Sequence, residues 1–392
     1  MLPLTGITVL ALEQAVAAPF ATRQLADLGA RVIKVERPNV GDFARSFDAS
    51  VDGMSSYFVW LNRSKESLTL NLQHPEAQEI LAGLLKTSDI FIQNLTPGAT
   101  SRMGLATPEL QERYPQLIVC DVSGYGTGGP LGGKKAYDLL IQCETGLVSI
   151  TGTDATPSKA GISVAEIAAG MYAFSGCLLA LLERQQNGHG SAFEVSLFDS
   201  LGEWMSAPAY FAAYGGRNPP RTGASHATIA PYGPFMAGDG RTVFLGLQNE
   251  REWDRFCAIV LERPELTHDA RFQSNAERVR HIDILRENID SVLCGLDLNE
   301  VMDRLERAGI ATAHLNSPRE FWQHPQLQER GRWREVESPV GALQALLPPI
   351  TRHDSEARMD AIPALGEHTE AILLSLGYDA DRIAHLRSQF TI

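Results

Sequence analysis

The 392-residue chain is short of positive charge: 34 Lys and Arg stand against 47 Asp and Glu, a formal net charge of −13. That balance argues against nucleic acid or an anionic membrane as the main partner, while leaving room for a basic pocket around a small anion. Cysteine is scarce as well. Cys120, Cys143, Cys177, Cys257 and Cys294 are widely spaced, odd in number and without metal-ligand spacing, so they read as reduced core thiols and no metal site is expected. The N-terminal MLPLTGITVLAL lacks the basic flank and long apolar region of a signal peptide, which makes the cytoplasm the expected compartment. Internal repeats and low-complexity tracts are also missing. At the first strand-to-helix turn, Ala17-Ala18-Pro19 stands where a dinucleotide-binding fold would carry G-x-G-x-x-G, which weighs against a nicotinamide or flavin enzyme. The uncharged run of sixteen residues after Glu166 falls short of the about 20 that a membrane-spanning helix needs.

What the chain does contain is an alternation of strand and helix patterns. ITVLAL, RVIKVERP, SKESLTLNL, SDIFIQNL and LIVCDVSGYG are apolar or alternating runs, and helical spacing separates most of them. Strand, helix, strand in series predicts a doubly wound, Rossmann-like parallel α/β sheet, whose ligands sit outside the carboxyl ends of the strands. HGSAFEVS adds a strand later. The length allows two packed units and 44% apolar residues supply a core. A shift to Gly, Pro and aromatic residues at 214–240 marks a crossover. The expected organisation is a large α/β domain over 1–215, a smaller α+β domain over 216–325, and a return to the first over 326–392. The glycine-rich 124–133 reads as a lid or a tight set of turns.

The stretch that draws attention is 161–184, GISVAEIAAGMYAFSGCLLALLER. Its pattern predicts a helix buried on most faces, and Gly170, Ser175 and Gly176 predict close approach by neighbouring elements. Glu166 stands in its first turn, where the helix dipole and free N–H groups favour a carboxylate. Such a group is either a nucleophile or base, or an acidic residue that suits the dipole.

The order of segments is where a family becomes legible. LADLGARVIKVERPNVGDFAR, SKESLTLNL, IQNLTPGATSRMGL, KKAYDLLIQCETG, EIAAGMYAFSGCLLALLERQQNGHG and LGEHTEAILLSLGY together resemble the class III CoA-transferase family, also called CaiB/BaiF, over nearly the whole chain. The resemblance implies an enzyme that moves CoA from an acyl-CoA to a free acid, with no tightly bound cofactor, acting as an interlocked homodimer. It makes Glu166 the nucleophile, in a place where the family usually carries Asp; the extra methylene displaces the carboxylate by more than 1 Å unless the backbone compensates. The implied CoA site takes its cations from Arg37, Lys65, Arg102 and Lys135 and its walls from Val16, Asn94 and Met103, with Ala17 and Tyr137 beside them. Backbone N–H groups of Ala17-Ala18 and of Gly223-Ala224-Ser225 are the expected oxyanion donors. Asp138, the other nearby acid, is expected to have a structural hydrogen-bonding role.

Racemases acting on 2-methylacyl-CoA share the fold the resemblance implies, but carry a His at the position of Tyr137. A tyrosine, with an ordinary pKa of about 10, is a poor α-proton base. A CoA-binding protein without turnover is the remaining alternative. The loop RTGASHATIAPYGPF resembles the branch that handles short dicarboxylates such as succinate, citramalate, mesaconate or itaconate. There, Arg221 and His226, with Gly223 and Ser225, are the expected hold on a remote carboxylate.

Overall fold

The computed structural model describes residues 1–392. Six parallel strands form its main sheet: β1 (Thr8–Leu12), β2 (Arg31–Glu36), β3 (Lys65–Thr69), β4 (Ile90–Gln93), β5 (Ile118–Ser123) and β6 (Ala192–Ser196). Their order is β3-β2-β1-β4-β5-β6. The order reverses between β1 and β4, and this switch point is where doubly wound sheets open a crevice for ligands. β1 and β4 are apolar almost throughout because helices cover both faces, whereas β2 is buried after Arg31 but carries Lys34 and Glu36.

Three helices position the site. α1 (Ala17–Asp27) follows β1, α2 (Asp138–Glu144) follows the glycine-rich segment, and α3 (Val164–Asn187) leads to β6. The glycine-rich segment is a tight set of turns: a side chain on Gly132 would stand 2.4 Å from the Gly128 carbonyl oxygen. α3 is 24 residues long, starting and ending three residues later than the 161–184 expected, and by length and composition alone it would pass for a membrane span. Half of that apolar window is buried, and α3 packs against α1, β5, β6 and the helix Leu197–Trp204.

The chain divides into two compact units. The first comprises 1–146, 160–206 and 326–392; the second comprises 147–159 and 207–325. The second thus begins earlier than 216 and takes in a short segment that the sequence places in the first part. In the first unit the C-terminal stretch lies along β3, where Thr69 N donates to Thr369 Oγ1 and Ser67 N to His368 Nδ1. A hairpin of β10 (Trp333–Val336) and β11 (Leu343–Leu346) in this return had no sequence counterpart. In the second unit β7 (Tyr232–Met236), β8 (Thr242–Gly246) and β9 (Ala311–Ala313) form an antiparallel sheet, and its core gathers Trp253, Phe256, Phe272 and Leu305.

Candidate active site

Glu166 is the third residue of α3, yet its carboxylate is held by a different helix. Ala17 N, the first amide of α1, donates to Glu166 Oε2 at 2.8 Å across 149 residues of sequence. First-turn amides have no intrahelical acceptor, so α1 offers this carboxylate an unused donor at the positive end of its dipole. The close approach depends on Gly170, one turn after Glu166. A Cβ there would lie 2.7 Å from the Ala17 carbonyl oxygen and 3.0 Å from Phe20 Cβ. Only a residue without a side chain lets the helices meet at the separation that brings the Ala17 amide within reach of the Glu166 carboxylate.

The entry to α3 is fixed by Asp138, the first residue of α2. Its Oδ1 accepts from Ala165 N at 2.8 Å and Glu166 N at 3.4 Å, while Oδ2 accepts from Gln142 Nε2 at 2.6 Å. Buried Gln142 in turn accepts from Ala160 N at 2.9 Å. This satisfies the structural role expected of Asp138. Burial pushes the Glu166 carboxyl up to about 7; the Ala17 amide opposes that rise and the Asp138 charge adds to it. A carboxylate with this balance is ionised just above neutrality and weakly solvated, which suits attack on a thioester carbonyl.

The turn that carries Ala17 is braced from below. Gln14 N donates to Asn94 Oδ1 at 2.8 Å and Asn94 Nδ2 donates back to Gln14 O at 2.8 Å. Ala15, at φ 61°, donates to Asp42 Oδ1 at 3.1 Å. Asp42 Oδ2 meets Lys34 Nζ at 2.8 Å, and Glu13 Oε1 joins Lys34 at 3.3 Å and Lys65 at 2.6 Å, all with side chains shut off from solvent. Burial opposes ionisation of Glu13, but Lys65 and Lys34 outweigh it and bring its carboxyl below the usual range.

This network corrects one sequence expectation. Lys65 is not a free cation for CoA: its ammonium donates to Glu13 Oε1, Pro19 O at 3.1 Å and Asn62 Oδ1 at 3.1 Å, which uses all three protons. Burial pulls it down to about 8. Asn94 is also committed to the turn, and Val16 is buried at the start of α1. Arg37, Arg102, Lys135 and Tyr137 are exposed, while Met103 is half-buried against the sheet core. A small cleft at the carboxyl ends of β1 and β2, lined by Gln14, Arg37, Leu70, Leu72 and Leu95, straddles the switch point.

The oxyanion and substrate expectations also change. Ala17 N–H is occupied by Glu166, Gly223 N donates to Gly152 O at 2.8 Å, and Ser225 N donates to Thr222 O at 3.1 Å. In the second unit, Arg221 spends its guanidinium on the carbonyls of Thr153, Ser149 and Asp154 at 2.8, 3.2 and 2.7 Å. His226 stacks on Tyr232 and accepts from Thr228 N at 3.1 Å, and Ser225 Oγ accepts from Arg286 at 2.7 Å. Arg221 and His226 therefore shape their loop rather than presenting a ready carboxylate clamp. Glu13, Lys34 and Asp42 escaped sequence reasoning; the available signal was charge inside otherwise apolar strand runs.

Residues 4–369 match the model of CoA-transferase family III, and the chain belongs to that family, also known as CaiB/BaiF. It is therefore a CoA-transferase. It is 32% identical over 397 residues to succinyl-CoA:glutarate CoA-transferase of Homo sapiens, covering 98% of this chain and 89% of that protein. It is 30% identical over 389 residues to succinyl-CoA:mesaconate CoA-transferase of Haloarcula marismortui, covering 96% and 97%. A crystal structure of a CaiB/BaiF family protein from Brucella suis superposes with a TM-score of 0.82 at 30% identity, covering 96% of this chain and 99% of that one.

Proposed function

We propose that the enzyme transfers CoA from succinyl-CoA, or another short dicarboxylyl-CoA, to a free short dicarboxylic acid through covalent intermediates on Glu166. The observation that carries the reading is the Glu166 carboxylate, raised to about 7 and fixed on the first amide of α1 beside the switch point. The Glu166 oxygen attacks the thioester carbonyl and expels CoA thiolate, leaving a mixed anhydride. The thiolate attacks the glutamyl carbonyl, forming a glutamyl-CoA thioester and releasing the donor carboxylate. The acceptor carboxylate then attacks this thioester, and the returning thiolate takes the acyl group, restoring Glu166. Thioester energy is conserved as long as water is kept out.

Support for dicarboxylate substrates comes from the names of the glutarate and mesaconate relatives. The exposed cations Arg37, Arg102 and Lys135 suit CoA phosphates. The assembly we propose is a homodimer, supported by the solvent-facing Met171, Tyr172, Leu179 and Leu182 of α3. Five unpaired cysteines accord with the cytoplasm.

The test is to incubate the protein with succinyl-CoA and a panel of short acids in deuterated water and read the CoA species by mass spectrometry. A new acyl-CoA without α-deuterium, lost in Glu166→Gln, is the expected result. Deuterium at the α-carbon without acyl exchange would establish racemase chemistry instead, and neither change would leave a binding protein.

A further inference from the structure

The first turn of α3 is not capped by its own chain. Ser163, in the cap position, makes no side-chain bond to the turn, and the amides of Ala165 and Glu166 go to Asp138 on α2 instead. Side-chain capping normally comes from the residue that opens a helix, so here the task has passed to a neighbouring helix. The orientation of the Asp138 carboxylate therefore governs the turn that carries Glu166.

Gln142 fixes that orientation. It lies four residues after Asp138, on the same face of α2, and is fully buried while Leu139 and Leu140 between them are exposed. α2 thus turns its polar pair inward. The direction of the bonds is set by chemistry: Ala160 N can only donate, so Gln142 Oε1 faces it and Nε2 is left for Asp138 Oδ2. One planar amide ties the chain three residues before Ser163 to the cap of the first turn, in a place where water cannot replace either bond. Asp138 is also the neighbouring charge that bears on the Glu166 carboxyl, so a displaced Asp138 reaches that group through geometry and through its field.

We propose that Gln142 is a positioning residue for acyl transfer: it holds Asp138 as the remote cap of α3 and thereby sets where the Glu166 carboxylate stands against Ala17 N. The proposal rests on the reading of Glu166 as the nucleophile. Gln142 acts through Asp138 and touches no reacting atom.

Steady-state acyl exchange, hydrogen exchange at the Ala165 and Glu166 amides, and urea midpoints of the full-length protein test this together. Gln142→Met keeps the length of the side chain and removes its donor. It should lower kcat about tenfold, leave KM for the acyl-CoA within about twofold, and speed exchange at those two amides more than along the rest of α3. Gln142→Glu sets two acceptors face to face and Asp138→Asn sets two donors, so each should lose at least as much. Combined, the introduced asparagine donates to the introduced glutamate, whose other oxygen still accepts from Ala160 N; kcat and amide protection should return toward the parent. An unchanged kcat in Gln142→Met, a raised KM with kcat intact, a lowered urea midpoint as the sole effect, or a double variant no better than the worse single would overturn the proposal. A parent protein without acyl exchange would instead remove the reading of Glu166, and the amide measurement would still decide whether Gln142 sets the first turn.

Discussion

Replacing Gly170 by alanine perturbs one contact whose consequences can be worked through. The added Cβ would lie 2.7 Å from the Ala17 carbonyl oxygen, where ordinary contact begins at 3.4 Å, so α1 and α3 must separate by about 0.7 Å at that point. Phe20 Cβ at 3.0 Å blocks an escape to the side. Overpacking of this kind costs about 1–3 kcal/mol, and the better helix propensity of alanine returns about 1. The net loss of stability is therefore small, at most about 2 kcal/mol. Activity should suffer more, because the same movement stretches the 2.8 Å bond from Ala17 N to Glu166, and misplacement of a reacting group by 1 Å can cost about 100-fold. Urea denaturation and the rate of acyl exchange should be measured on one preparation. A variant that retains exchange within twofold of the parent would refute the claim that this helix contact sets the nucleophile.

The Glu166 carboxyl also makes stability depend on pH. Its folded pKa is raised from 4.5 to about 7, so this contribution is intact below pH 4.5 and is lost as pH rises through 7. Relative to Glu166→Gln, the parent should lose up to about 3 kcal/mol between pH 5 and pH 9, and parallel urea midpoints at the two pH values would contradict this. Lys65→Met removes one partner from a sealed charge cluster and should cost about 3–5 kcal/mol by chemical denaturation. A fully stable Lys65→Met protein with only a raised KM for CoA would restore Lys65 as a ligand residue. Native alkylation with iodoacetamide should label at most Cys143 and Cys294, since Cys120, Cys177 and Cys257 are buried; a third adduct in the intact mass would contradict the fold.

All six parallel strands could be read from sequence because period-two runs and unbroken apolar stretches are local properties, and α3 was legible from its lack of charge. The partners of those elements were harder. Nothing near Ala17 announces a carboxylate 149 residues away, although Gly170 in a helical pattern was a sign of close approach. Lys65 shows the limit most clearly. A lysine beginning a strand looks like a rim cation, and only the fold reveals Glu13 and the Pro19 carbonyl closing over it. The β10–β11 hairpin was missed because its short strands, WREV and LQAL, interleave charged or polar residues with apolar ones, whereas the equally short β4 has an unbroken apolar run.

The sealed cluster of Glu13, Lys34, Asp42 and Lys65 also constrains how such a protein can drift. Neutralising any one member strands a partner's charge where water cannot reach it, whereas exchanging opposite charges together for apolar groups of matching volume need not. Substitutions at these four positions should therefore arrive as coordinated sets. The turn beneath Glu166 would be among the slowest parts of the chain to explore new sequences, even though all four side chains are shut off from solvent.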